Sequence, residues 1–136
     1  MERSPHADHF AGMIGTANVL TTPDDQAPYL TEWRDLYQGS TPMVLRPGNT
    51  EEVSAVMAYA YKHDLKVVPQ GGNTGLVGGQ IPQETGDEIV LSLSRLNQIR
   101  SVDPIGFTIT VESGVVLETL QNEAEKADRL FPLSLG

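Results

Sequence analysis

Pro69-Gln70-Gly71-Gly72-Asn73-Thr74-Gly75-Leu76-Val77-Gly78-Gly79-Gln80 decides how this chain is read. A short apolar run, Lys66 to Val68, leads into it and reads as a strand. Five of the nine residues from Gly71 to Gly79 are glycine, and no charged residue stands between Val67 and Gln83. Glycine has no side chain to pack, so such a loop is selected for backbone freedom and for letting main-chain N–H groups come close to something. A concave run of N–H groups is a nest for an anion, most often a phosphate. The competing reading is a flexible surface loop. It fits less well, because loops of that kind usually carry Ser, Asp or Lys as well.

Two common phosphate motifs are excluded. No G-x-G-x-x-G register can be drawn, since the residues two places after Gly71, Gly72 and Gly75 are Asn73, Thr74 and Val77. No Walker-type lysine follows either; the lysines are Lys62, Lys66 and Lys126. A phosphate here would be held by backbone amides, with Asn73 and Thr74 adding side-chain donors.

Before the loop, Met43 to Arg46 reads as a strand closed by Pro47-Gly48. Asn49 or Thr50 can cap the helix that follows, with Glu51 and Glu52 in its first turn and Lys62 and His63 in its last, each matching the macrodipole. Val53, Val56, Met57 and Ala60 recur at helical spacing and predict a buried stripe. Strand, helix, strand at this spacing is a βαβ unit with parallel strands. Nearer the N-terminus, Phe10, Met13, Ile14 and Ala17 predict an amphipathic helix within 8–20. Thr21 to Pro28 reads as a polar connector, and Tyr29 to Tyr37 as a short helix or turn. After the loop, Glu88 to Leu93 reads as a third strand. Ile99–Asp103 and Phe107–Glu112 read as a hairpin across Asp103-Pro104-Ile105-Gly106, a type I turn signature. A last helix is expected near 116–127, with Leu130 to Leu135 extended. A parallel portion followed by an antiparallel one is α+β.

The 136 residues suffice for one modest core. A net charge of −9 argues against nucleic acid and against an anionic membrane surface. With no cysteine, disulfides and thiol chemistry are excluded within the chain. No apolar run reaches membrane-spanning length. Met1 to Phe10 has no signal-peptide apolar core and is not an arginine-rich transit peptide, so a cytoplasmic setting is expected. His6 and His9 stand a helical turn apart but have no evident third ligand, and no metal site is assigned. Asp24-Asp25 and Glu51-Glu52 are sequence neighbours that do not face each other, so they read as caps rather than an acid/base dyad. No catalytic residue is assigned.

The run P-Q-G-G-N-T-G-L-V-G-G-Q resembles the pyrophosphate loop of FAD-linked oxidases and dehydrogenases of the vanillyl-alcohol oxidase/p-cresol methylhydroxylase (PCMH-type) superfamily. It is most similar to the branch acting on D-2-hydroxy acids: D-lactate dehydrogenase, the glycolate oxidase FAD subunit and D-2-hydroxyglutarate dehydrogenase. Tyr29-Leu30-Thr31-Glu32-Trp33-Arg34, the segment Val44 to Val53 and Thr110-Val111-Glu112-Ser113-Gly114-Val115 carry the same resemblance, which covers about residues 24–136. It implies a helical lead-in, 1–41, and the first part of a PCMH-type FAD-binding domain, 42–136: a small parallel βαβ subdomain, then the start of an antiparallel one. It implies bound FAD, with Pro69, Gln70, Gly71, Gly72, Asn73, Thr74, Gly75, Gly78 and Gly79 about the diphosphate and Pro132 and Gly136 toward the flavin. Some members attach FAD through a His beside the Gly-Gly pair; Asn73 stands there in this chain, which implies a non-covalent flavin. The implied activity is oxidation of a D-2-hydroxy acid to a 2-oxo acid by hydride transfer to flavin N5. In the superfamily a second FAD loop follows the region where this chain ends, so a fragment is expected, inactive alone and prone to form homo-oligomers through exposed edges. Two alternatives stay open: a flavin reductase of the same fold, and a non-enzymatic module binding another phosphorylated ligand.

Overall fold

Pro5–Ile14 forms the first helix, α1, in the computed structural model of the chain, which describes residues 5–134. Ala7, Phe10 and Ile14 bury one face of it. The helix stops well before Leu20. Gly15 turns to φ 85, and Asn18 Nδ2 caps the Ile14 carbonyl at 2.7 Å. Ala17 is exposed in a single 3₁₀ turn, and Val19–Leu20 is already strand β1. Within the expected connector, Thr22 accepts the N–H of Asp25 and starts the short helix α2, Pro23–Gln26, with proline in its first turn.

Strand β2 is Val44–Leu45, both buried. Asn49 Oδ1 then accepts the Glu52 N–H at 2.8 Å, an N-cap worth about 1 kcal/mol, and helix α3 runs Thr50–Lys62. Val56 and Ala60 are buried and Val53 is half-buried, but Met57 faces solvent. Tyr59 takes its place because α1 packs on that side. His9 stacks on the Tyr59 ring at 4.0 Å, His63 lies against it at 4.2 Å, and His6 Nδ1 is 3.1 Å from its hydroxyl. The histidines thus enclose a tyrosine. Among the described residues no three His, Cys, Asp or Glu side chains are grouped to hold a metal.

Strand β3, Lys66–Gln70, and strand β4, Glu88–Ser92, complete a sheet of order β1-β2-β4-β3. Strands β2 and β3 are parallel, as the βαβ spacing predicts, yet they do not pair with each other. Each is hydrogen-bonded to β4, which inserts between them. Ile89, Val90, Leu91 and Ser92 are all buried, the continuous pattern of a central parallel strand. Strand β1 closes one edge antiparallel to β2.

Ile99–Asp103 (β5) and Thr108–Val111 (β6) form a separate antiparallel hairpin. Asp103 Oδ1 accepts the N–H groups of Ile105 and Gly106 and shapes the turn. Strand β6 begins one residue later than expected, because Phe107 sits in the turn at φ 55 with its ring under the Arg129 guanidinium. Helix α4, Leu117–Lys126, follows. The fold is α+β: a small sheet, parallel but for its edge strand β1, then an antiparallel hairpin.

Candidate functional site in the glycine loop

Strand β3 delivers Gln70, 2 % exposed, to the neck of the loop. Its Nε2 donates to Gln80 O at 3.0 Å and to Tyr29 O at 2.9 Å, closing the loop on itself and onto the preceding segment. Inside, Gln80 Nε2 donates to Gly75 O at 2.6 Å and to Asn73 Oδ1 at 3.3 Å. Three uncharged amides therefore stitch the loop, so its shape needs no ion pair.

These bonds fall on carbonyls and side chains and leave the loop's main-chain N–H groups free. Among the described residues, no backbone N–H from Gly71 to Gly79 has a partner within the chain. The glycines divide into two kinds. A Cβ at Gly78, at φ 79, would meet the Tyr37 ring at 2.9 Å, so the chain's own packing requires glycine there, while a Cβ at Gly75 would meet the Gln80 amide at 2.9 Å and displace that side chain. At Gly71 and Gly79 a Cβ would meet nothing within 4 Å, and at Gly72 the nearest atom is Thr74 Cγ2 at 3.9 Å. Nothing inside the protein demands glycine at those three positions. A ligand brought close to the backbone would. Cavities of about 450 Å³, toward Thr31 and Trp33, and about 470 Å³, toward Tyr37 and Pro82, border the loop on its two sides.

The segment before β2 braces the loop. Asn73, at φ 57, donates through Nδ2 to Thr31 O at 2.9 Å and to Pro28 O at 3.3 Å, and the Arg34 guanidinium donates to Leu76 O. Residues 31–38 form a tight turn with a bridge between Thr31 and Gln38. Glu32 holds it: Oε2 accepts the N–H of Arg34 at 2.8 Å and Oε1 that of Leu36 at 2.6 Å. The Arg34 N–H holds the Glu32 carboxyl below the ordinary carboxylate range against the opposing push of burial, and the Leu36 and Tyr37 N–H groups add to it. A lowered folded value contributes stability that is complete above the ordinary carboxylate value and lost as pH falls through the lowered one. Glu32→Gln is therefore expected to lower the unfolding midpoint at neutral pH and to converge with wild type in acid. A gap of constant size across the acid range would show that the charge is not what holds the turn.

The structure gathers Pro69 to Gly79 at one site but changes two roles. Both hydrogens of the Asn73 amide are spent on backbone carbonyls, so Asn73 anchors the loop instead of offering donors from it. Gln70 likewise turns inward. Thr74 is exposed. Pro132 is exposed on the tail that Gln121 Nε2 ties to α4 through Leu133 O, and it shares no hydrogen bond with the loop. Gly136 lies outside the described residues. Gln80 and Glu32 escaped the sequence reading. Gln80 had a visible signal, since it and Gln70 bracket the glycines symmetrically; Glu32 had none.

A family model described as an FAD binding domain matches residues 41–136. The chain is 44 % identical over 118 residues to the mitochondrial D-2-hydroxyglutarate dehydrogenase of Danio rerio, covering 87 % of this chain and 22 % of that protein. It is 36 % identical over 133 residues to the mitochondrial D-2-hydroxyglutarate dehydrogenase of Arabidopsis thaliana, covering 98 % and 23 %. Among solved structures, p-cresol methylhydroxylase superposes with a TM-score of 0.73 at 21 % identity, covering 90 % of this chain and 24 % of that one, a likeness of fold alone. The chain thus spans under a quarter of the length of each of these relatives. Both dehydrogenases are mitochondrial by name, which overturns the cytoplasmic expectation. That expectation rested on the make-up of ten residues, and targeting segments are removable features separate from the folded domain.

Proposed function

This chain belongs to the FAD binding domain family, and from that premise we propose that its glycine loop holds the diphosphate of FAD through the backbone N–H groups of Gly71 to Gly75, Gly78 and Gly79. The observation that carries the proposal is the run of nine consecutive main-chain donors without an internal partner, in a stretch with no charged side chain. Gly71, Gly72 and Gly79 fit the group, since a Cβ at each would fill open space the ligand needs. The Thr74 hydroxyl is free to add a side-chain donor; Gln70, Asn73 and Gln80 keep the loop in shape. Pro69 stands within strand β3, next to its last residue, and Pro132 and Gly136 are taken as contacts of the flavin end. The division into a lead-in, 1–41, and an FAD-binding portion, 42–136, is part of the same proposal, as is self-association through the free edges of the β5–β6 hairpin.

We propose further that the enzyme containing this chain oxidises a D-2-hydroxy acid, with D-2-hydroxyglutarate the first candidate from the names of its relatives. The flavin, held non-covalently, supplies the hydride acceptor, N5. The residues described here bind and orient the cofactor.

FAD titrated into the purified enzyme that contains this chain is expected to bind saturably, with its fluorescence changing on binding. The loaded enzyme's flavin is expected to bleach anaerobically with D-2-hydroxyglutarate, D-lactate, D-malate or glycolate. Absence of any FAD binding would refute the cofactor assignment. Binding without bleaching by any of the four acids would refute the substrate class alone.

A further inference from the structure

We propose that Arg34 is the cationic contact of the glycine loop, donating charge-assisted hydrogen bonds to the diphosphate that the loop's N–H groups surround; this rests on the cofactor reading above.

The need arises from charge. A diphosphate bridge carries two negative charges, the chain carries −9, and the loop has no charged residue from Val67 to Gln83. Amide dipoles supply only partial charges, and the general field of so acidic a chain repels the ligand. A local cation offsets both effects.

Arg34 is the cation the structure joins to this loop. Its guanidinium donates to Leu76 O, between the two glycine clusters. An arginine has five N–H donors in a planar fork, so this single contact leaves the fork free to pair with phosphate oxygens. Its backbone position is imposed. Glu32, buried beneath the turn, takes the Arg34 N–H, and Asp35 at φ 55 swings the chain so that the Leu36 N–H reaches the same carboxylate. The side chain is exposed, and its charge helps hold the Glu32 carboxyl low across the turn without a direct salt bridge. Most other cations among the described residues are engaged elsewhere. Lys66 pairs with Asp87, Arg100 with Glu112 and Lys126 with Glu123. Arg95 donates to Arg46 O and Arg129 to Pro104 O.

The bland reading is that Arg34 merely braces Leu76. Salt separates the two, because it screens a charge–charge contact and leaves a bond to a neutral carbonyl nearly unaffected. FAD is titrated into the protein and into Arg34→Gln and Arg34→Lys at several ionic strengths, with thermal unfolding of the cofactor-free proteins recorded alongside. Arg34→Gln is expected to weaken FAD binding about tenfold or more at low salt and to flatten the salt dependence. Arg34→Lys is expected to retain the salt dependence and lose part of the affinity, since a point charge cannot pair bidentately. Wild-type affinity and salt dependence in Arg34→Gln would overturn the proposal while leaving the cofactor assignment standing. Equal losses in both variants with unchanged salt dependence would also overturn it, leaving Arg34 a brace. A wild-type protein that takes up no FAD removes the cofactor assignment and this proposal together.

Discussion

Replacing Gly114 with alanine is expected to cost about 3 kcal/mol of stability, the upper end of the usual range for forcing volume into a packed site. Gly114 sits where the β5–β6 hairpin docks on the end of β4, its N–H donating to Leu96 O at 2.8 Å. A Cβ there would lie 2.8 Å from Leu96 O and closer still to Leu93 O. Both obstacles are backbone, so no flexible side chain can swing away. Leu93 is itself tied down, since its N–H donates to Gln70 O at 2.9 Å at the neck of the glycine loop. The strain therefore reaches both the hairpin and the loop. Thermal unfolding followed by circular dichroism should show a midpoint lowered by about 10 °C. Gly12→Ala is the matched control: it lies on α1 with nothing within 4 Å of its Cβ, and alanine there is expected to be neutral or to stabilise by up to about 1 kcal/mol. A Gly114→Ala midpoint equal to that of wild type would mean the hairpin does not pack where the structure has it.

The parts of this fold legible in the sequence are those written in local chemistry. Asn49 with Glu51, Glu52 and Lys62 announces both ends of α3, and the Asp103-Pro104-Ile105-Gly106 turn announces the hairpin, because caps and turns are satisfied by residues within a few positions. The position of β4 between β2 and β3 is not local: it depends on pairing across some 45 residues, and the βαβ spacing says only that the flanking strands run parallel. Met57 and Tyr59 show the same limit. Helical spacing marks a stripe, but which edge of the stripe is covered depends on where α1 lands. At the site, the glycines declare an anion-receptive backbone, while the fate of Asn73 is decided by carbonyls at Pro28 and Thr31, more than forty residues earlier. An amide's donors are visible in a sequence; their partners are not. Glu32 is the sharper case, for an exposed-looking acidic residue in a charged stretch proves to be the buried organiser of the turn that braces the loop.

Gly72→Val should separate ligand binding from folding more cleanly than any other change in the loop. The nearest atom to a Cβ at Gly72 is 3.9 Å away, so the cofactor-free protein should unfold at the wild-type temperature. The isopropyl group would instead occupy the space above the backbone where the diphosphate approaches. Hydrogen bonds to a charged group are worth about 1.5–3 kcal/mol each, so blocking two of them weakens FAD by at least about a hundredfold. Gly78→Val supplies the contrast. At φ 79, with the Tyr37 ring 2.9 Å from its Cβ, valine there should lose FAD and lower the unfolding midpoint together. Equilibrium titration with FAD and thermal unfolding of both variants decide the matter. If Gly72→Val kept wild-type affinity, the open face of the loop would not be where the cofactor lies. If it lost affinity and stability in parallel, as Gly78→Val is expected to, then packing rather than a ligand would explain the glycine at 72.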